Sequence, residues 1–255
     1  MCTLNFLPQK NGYLAGMNRD ELKTRGLASA PMVHCLSHGS AVYPQEAGGG
    51  TWIAANSRGN MLALLNWNAP ADMKPPTKVR SRGEIIPALV SVGNFAETER
   101  ALKASDLRGT LPFRLVGVFP SEREIRQWSW DGTLLGARRH EWVRAHWFSS
   151  SRSDDRAEEN RGKVCESAWR ETFTDRVGWL RALHASHVPE MGAFSICVHR
   201  EDATTVSYTE VECGGPELRM AYLAGNPCQA DGALTSQTIA LTATSVCAAH
   251  PDSIA

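Results

Sequence analysis

The sequence predicts an α+β fold in which antiparallel sheet is covered by helices on its outer faces, and three observations carry that expectation. Strand-like stretches come in blocks, interrupted by a helical pair and later by one long helical stretch, rather than alternating strand by helix. The dipeptides Asn11-Gly12 and Asp131-Gly132 lie between β-like runs, where tight antiparallel turns need residues tolerant of positive φ. Of the 255 residues, 42% are hydrophobic and 21% charged, a globular composition that can bury a core. The length suits one domain over 1–255, with 225–255 a loosely assigned tail of small and polar residues.

The first third reads as short strands at Thr3 to Leu7, Tyr13 to Met17, Thr51 to Asn56 and Met61 to Trp67, the last following Arg58-Gly59-Asn60. Pro70, Pro75 and Pro76 break the pattern. Ile85, Leu89 and Val92 then recur at helical spacing, with Pro87 tolerable in a first turn. A second helix is expected from Asn94, whose side chain can cap it, with Glu97 completing a capping box. Phe113 to Phe119 returns to strand, Trp128 to Leu135 forms a hairpin, and Trp142 to Phe148 is a further strand. From Asp154 to about Leu183, the residues Val164, Ala168, Phe173, Val177 and Leu180 mark one long or broken amphipathic helix, opened by an acidic first turn. Strands near Phe194 to His199, Thr204 to Val211 and Leu218 to Leu223 close the fold.

Lys plus Arg and Asp plus Glu are balanced at 27 each, so no global field favours nucleic acid or an anionic membrane. Membrane insertion is not expected either, because no apolar run approaches the roughly 20 residues of a spanning helix. A cytoplasmic location follows as the expectation, and oligomeric state is left open. The seven cysteines, at 2, 35, 165, 197, 213, 228 and 247, form no CxxC pair, which argues for reduced thiols and against a cysteine-rich zinc site. Cys165 and Cys197 read as small core residues.

Cys2 is different because of its position. Removal of Met1 leaves one residue carrying both a thiol and an α-amino group whose ordinary pKa is near 8, so that the amine can take the thiol proton and later return it to a leaving group. Asn18-Arg19-Asp20-Glu21 follows an apolar strand one hairpin away, and strand pairing brings it to Cys2. An arginine beside the sulfur favours thiolate, while an aspartate can orient an ammonium. The plain alternative is a solvated turn with ordinary ion pairs.

These residues, with Gly49-Gly50-Thr51-Trp52-Ile53 and Ala63-Leu64-Leu65-Asn66-Trp67 in the same order, resemble the NRDE family, also called the transport and Golgi organisation 2 family. Ser81-Arg82-Gly83 and Leu111-Pro112-Phe113-Arg114-Leu115-Val116 extend the likeness. The resemblance implies a four-layer αββα sandwich of the N-terminal-nucleophile hydrolases, in the penicillin V acylase and bile salt hydrolase branch. It implies Cys2 as nucleophile, Arg19 beside the thiolate, Asp20 orienting the amine, and Asn66 in an oxyanion hole with Asn68 as a substitute. A later Asn of the family pattern is replaced within Ser149-Ser150-Ser151. A later Arg is replaced at Phe194, with Arg200 nearby as an alternative.

Other clusters have simpler readings. His34-Cys35-Leu36-Ser37-His38 offers soft ligands but reads as a polar loop, Gly48-Gly49-Gly50 as a tight turn, and Trp128, Trp130, Trp142 and Trp147 as packing. The leading expectation is an amidohydrolase or acyltransferase acting on a small amide or acyl compound, without cofactor. Its rival is a non-catalytic ligand-binding protein, with haem as the ligand that the family suggests.

Overall fold

Period-two alternation along the first hairpin sets the architecture. The structure, a computed structural model, describes residues 2–68, 79–170, 174–229 and 234–242. In chain order it has β1 (Cys2–Gln9), β2 (Gly12–Leu22), β3 (Ser29–Leu36), β4 (Gly39–Gln45), β5 (Ile53–Asn56) and β6 (Met61–Asn66). Helices α1 (Ile85–Leu89) and α2 (Phe95–Ala104) follow, then β7 (Phe113–Phe119), β8 (Glu124–Trp130), β9 (Leu135–His140) and β10 (Ala145–Ser149). The chain continues through α3 (Asp154–Ala168), α4 (Arg176–His184), β11 (Ala203–Gly214), β12 (Glu217–Ala224) and β13 (Thr235–Ala240).

The strands form two antiparallel sheets, one of six in the order β10-β1-β2-β11-β12-β13 and one of seven in the order β3 to β9. On β1 and β2, alternate residues Leu4, Phe6, Tyr13, Ala15 and Met17 face the second sheet, where they pack against Val42, Ile53, Met61, Leu65, Val116 and Val118. Full burial of each such large side chain contributes about 1.5–3 kcal/mol. The opposite face of the first sheet presents Leu7 and Leu14 to Leu180 of α4, and Phe148 to Ala157 and Cys165 of α3. Ile86, Leu89 and Leu102 of α1 and α2 cover Leu62, Leu115 and Trp128 on the second sheet's outer face. The result is the four-layer αββα sandwich. Gly16 lets α4 approach, since a Cβ there would lie 2.9 Å from His184 Nε2.

Asn94 caps α2 as expected, accepting from the Glu97 amide at 2.8 Å, and in α3 Ser153, not singled out from sequence, accepts from the Arg156 amide at 3.2 Å. The long helical stretch is broken into α3 and α4, with Phe173 outside the described residues, as are Pro70, Pro75 and Pro76. Three expectations need correction. Residues 34–38 are not simply a polar loop, because β3 runs through Leu36; Pro31, His34 and Cys35 mask an edge strand whose side chains are largely exposed. Phe194 to His199 forms no strand: its pairing with β11 is a single isolated bridge between His199 and Thr204, while the Ile196 carbonyl, the Cys197 amide and the Val198 amide bond the Asn18 side chain, the Ser186 carbonyl and the Thr205 side chain. Within the loosely assigned tail, Thr235–Ala240 pairs with β12. The tryptophans are packing as expected, with Trp128 fully buried and Trp130 and Trp147 nearly so. No described helix is long and apolar enough to cross a membrane.

Candidate active site

Cys2 opens β1, and the antiparallel register pairs it with Arg19 of β2 on one side and Ser149 of β10 on the other. Asn18-Arg19-Asp20-Glu21 is therefore strand rather than solvated turn, so neighbours in the motif face opposite ways. Arg19 shares the face of Cys2. Its guanidinium lies 4.5 Å from the centroid of Trp52, contacts Glu21 at 3.4 Å and bonds Glu46. Asn18 and Asp20 face the helices. Asn18 Nδ2 donates to the His184 carbonyl at 2.9 Å and the Ile196 carbonyl at 3.0 Å, a structural role.

Asp20 is fully buried, accepts from Thr205 Oγ1 at 2.7 Å, and lies 3.6 Å from Nη1 of Arg161. Burial pushes its carboxyl up, opposed chiefly by the Arg161 charge. Arg161, also fully buried, was not found from sequence. Its Nη1 donates to Thr3 Oγ1 at 2.8 Å and the Cys2 carbonyl at 3.4 Å, and its Nη2 donates to the Ala193 carbonyl at 3.3 Å. The signal was present: Ala157, Arg161 and Cys165 fall at i, i+4 and i+8, the buried stripe of α3. The guanidinium that Phe194 does not supply thus reaches that segment from a helix. Arg200 is engaged elsewhere, with Asp202 at 2.6 Å and Ser151 at 3.0 Å.

Cys2, Arg19, Asp20 and Asn66 line one cavity of about 280 Å³, together with Trp52, Leu64, Val79, Arg82 and Leu111. Asn66, at the end of β6, bonds through its side chain to no described residue. Asn68 does not line this cavity; its amide donates to the Ser150 carbonyl and to Asp154, holding the start of α3. Ser150 is buried, and its amide donates to Asp154 Oδ1 at 2.6 Å, so the serine position serves that helix start. Gly50 and Gly83 meet back to back, a Cβ on Gly50 coming 3.0 Å from Gly83 Cα, while the Thr51 amide donates to the Gly83 carbonyl at 3.0 Å. That contact sets Arg82 at the cavity wall. Among the described residues Arg82 has no carboxylate partner; burial lowers its pKa and the neighbouring Cys2 opposes that shift.

Cys2 is 5% exposed, and burial pushes its thiol up. A base in direct reach is therefore needed to form thiolate. Met1 lies outside the described residues. His34 and Cys35 are adjacent on β3, with the His34 ring stacked on Tyr43 at 3.9 Å and Cys35 exposed, and they converge on no common point with His38.

Behind the site, Cys165 Sγ donates to Asn5 Oδ1 at 3.3 Å, and Asn5 Nδ2 lies 3.3 Å from His184 Nε2. Burial pushes His184 down to about 3 from an ordinary 6.5. The lowered pKa contributes stability above 6.5 that is lost as pH falls toward 3, at about 1.4 kcal/mol per pH unit. His184→Gln keeps an acceptor for Asn5 without titrating there. Its denaturant midpoint is expected to change less than that of wild type between pH 6.5 and 4.5, where the wild type loses about 2–3 kcal/mol through this residue. Parallel curves would remove His184 as the cause.

The family model described as Transport and Golgi organisation 2 matches residues 1–164, more than half of the chain. The chain belongs to that family. Comparison with curated proteins finds no match. Among solved structures, a Cys-to-Ala mutant of the conjugated bile acid hydrolase from Clostridium perfringens aligns with TM-score 0.54 at 10% identity, over 96% of this chain and 97% of that one. Another variant of the same hydrolase gives TM-score 0.54 at 10% identity, over 96% and 100%. The penicillin V acylase from Agrobacterium tumefaciens aligns with TM-score 0.50 at 11% identity, over 88% and 83%. At such identities the likeness establishes the N-terminal-nucleophile hydrolase fold.

Proposed function

We propose that this family member is an N-terminal-cysteine amidohydrolase or acyltransferase whose substrate is a small amide or acyl compound bearing an anionic group. The observation that carries the reading is the meeting of Cys2, Arg19 and Asn66 at one small cavity, with the Asp20–Arg161 pair behind them. After Met1 is removed, the α-amine takes the thiol proton, which the buried sulfur does not release unaided. The sulfur attacks the carbonyl carbon, and the Asn66 side-chain amide donates to the developing oxyanion. As the C–N bond breaks, the α-ammonium gives its proton to the leaving amine. Water or a second acceptor then attacks the thioester and regenerates the thiol. Arg19 lowers the cost of the thiolate, Asp20 orients the ammonium, and Arg82 provides a charge for an anionic group on the substrate.

The rival reading, a haem-binding protein, gains little from this cavity. A macrocycle needs a wide apolar slot and an axial ligand, whereas arginines and glutamates crowd a space of about 280 Å³.

The test follows amine release from a panel of N-acyl compounds with and without a carboxylate, using protein whose intact mass shows Met1 removed. Hydrolysis that favours the carboxylate-bearing members is expected. Failure of Met1-free protein to form any covalent acyl adduct would overturn the reading. Asn66→Ala is expected to slow acylation by about 10²–10³-fold with an unchanged unfolding midpoint, because its donor matters only to the oxyanion. An unchanged acylation rate in stopped-flow would remove Asn66 from the mechanism.

A further inference from the structure

A second group of reactive side chains lies outside the cavity. His187 follows α4, Cys197 and His199 lie on the irregular segment before β11, and Cys228 sits in the short 3-10 turn Pro227–Gln229 after β12. Their ligand atoms all fall within 4.8 Å of one another. His199 Nε2 lies 3.1 Å from Cys228 Sγ and 3.6 Å from Cys197 Sγ, so one imidazole touches both sulfurs. The two imidazole rings are 4.9 Å apart.

We propose that His187, Cys197, His199 and Cys228 form a tetrahedral structural site for a zinc ion. Zinc bonds of about 2.0–2.3 Å to nitrogen and sulfur place ligand atoms about 3.3–3.8 Å apart, close to the spacing already present. Two sulfurs and two imidazoles, without a carboxylate in the cluster, suit a borderline-soft transition ion and not calcium or magnesium. An independent observation points the same way: Nε2 of His187 is buried and meets no hydrogen-bond partner among the described residues. Such an atom is costly to leave unsatisfied.

Charge also balances. Two thiolates neutralise one divalent cation, so the occupied site carries no net charge in a partly buried place. Four protein ligands leave no open position, which makes the site structural rather than catalytic.

Its mechanical task is visible in the backbone. The segment from 187 to 200 has little regular structure, yet it presents the Ala193 carbonyl to Arg161, the Ile196 carbonyl to Asn18, and the Val198 amide to Thr205, which in turn bonds Asp20. An ion joining this segment to the end of α4 and the turn after β12 fixes those partners. A CxxC pair is absent because the ligands come from three separate places, which is why cysteine spacing gave no zinc signal.

Full-length protein purified without chelator is expected to carry one zinc per chain by elemental analysis. Metal-stripped protein titrated with Co²⁺ is expected to show intense sulfur-to-metal absorption in the near ultraviolet and the visible bands of tetrahedral cobalt. Cys228→Ser and His187→Ala are each expected to weaken Co²⁺ binding at least about 10-fold, while Cys35→Ser, at an exposed thiol outside the cluster, binds as wild type. Should Cys228→Ser fail to fold, His187→Ala carries the comparison. Folded wild-type protein that takes up neither zinc nor Co²⁺, a Cys197–Cys228 disulfide in the reduced-buffer preparation, or undiminished binding by His187→Ala would overturn the site.

Discussion

Cys2→Ala is expected to reduce acyl transfer to the background of the buffer, a loss on the order of 10⁶-fold if this thiol carries the chemistry as nucleophiles do elsewhere. The substitution is small, and its neighbours on β1 and β2 keep their ladder, so the unfolding free energy should change by no more than about 1 kcal/mol. Cys2→Ser preserves shape but not acidity, and slow residual acylation is the expected result. Intact-mass measurement after exposure to an electrophilic acyl probe separates the three proteins: wild type gains one adduct on residue 2, Cys2→Ser gains it slowly, and Cys2→Ala stays unmodified there. Equal labelling of the alanine variant would show that another thiol reacts and would end the nucleophile assignment.

Arg161→Met should give the largest stability effect. Both members of the Asp20–Arg161 pair are fully buried, and removing the cation takes the guanidinium away from a carboxylate to which Thr205 still donates. Losing one partner of a buried pair costs about 3–5 kcal/mol near neutral pH. The pH dependence has a definite sign. Asp20 is already raised above its ordinary 3.8 by burial, and without Arg161 it rises further. A raised carboxyl contributes stability below its unfolded pKa and loses it as pH climbs through the folded value. The gap between variant and wild type should therefore narrow as pH falls toward 4 and widen above it. Chemical unfolding across that range measures the gap, and a pH-independent difference would argue that lost packing, not the uncompensated charge, is responsible. Asp20→Asn in the Arg161→Met background should recover much of the stability, since the charge left behind is then gone.

Much of this was legible where local chemistry and fold agree. Asn94 with Glu97 marks a helix start because a capped amide is satisfied in any context, and Asn11-Gly12 marks a hairpin because Gly12 takes φ 149°, with a Cβ there 1.9 Å from the Cys213 carbonyl oxygen. The meeting of Cys2 and Arg19 was readable from one hairpin, since a short turn leaves little freedom of register. What escaped depends on long-range packing. β3 shows no clear alternation because an edge strand buries little of either face. Phe194 to Val198 looks like a strand because it is apolar and buried, yet side chains such as Asn18 and Thr205 satisfy its backbone in place of a ladder. Arg161 hid in a charged helix because sequence alone treats arginine as solvent-facing, and partners far away in the chain, Asp20, Thr3 and the Ala193 carbonyl, make its burial tolerable.

The alternation along β2 has an evolutionary corollary. Arg19 opens onto the space between the sheets, whereas Asp20 turns toward the helices, so the buried Asp20–Arg161 pair is anchored on the opposite side of β2 from the chamber's apolar wall. Trp52, Leu64, Val79 and Leu111, which form much of the chamber's apolar wall, make no bond to Asp20 or Arg161. Changes at these four positions are free to alter the size and shape of the accepted molecule without disturbing the buried ion pair. If the chamber holds the substrate proposed above, a lineage on this scaffold can exchange one acceptable molecule for another in small steps through that wall.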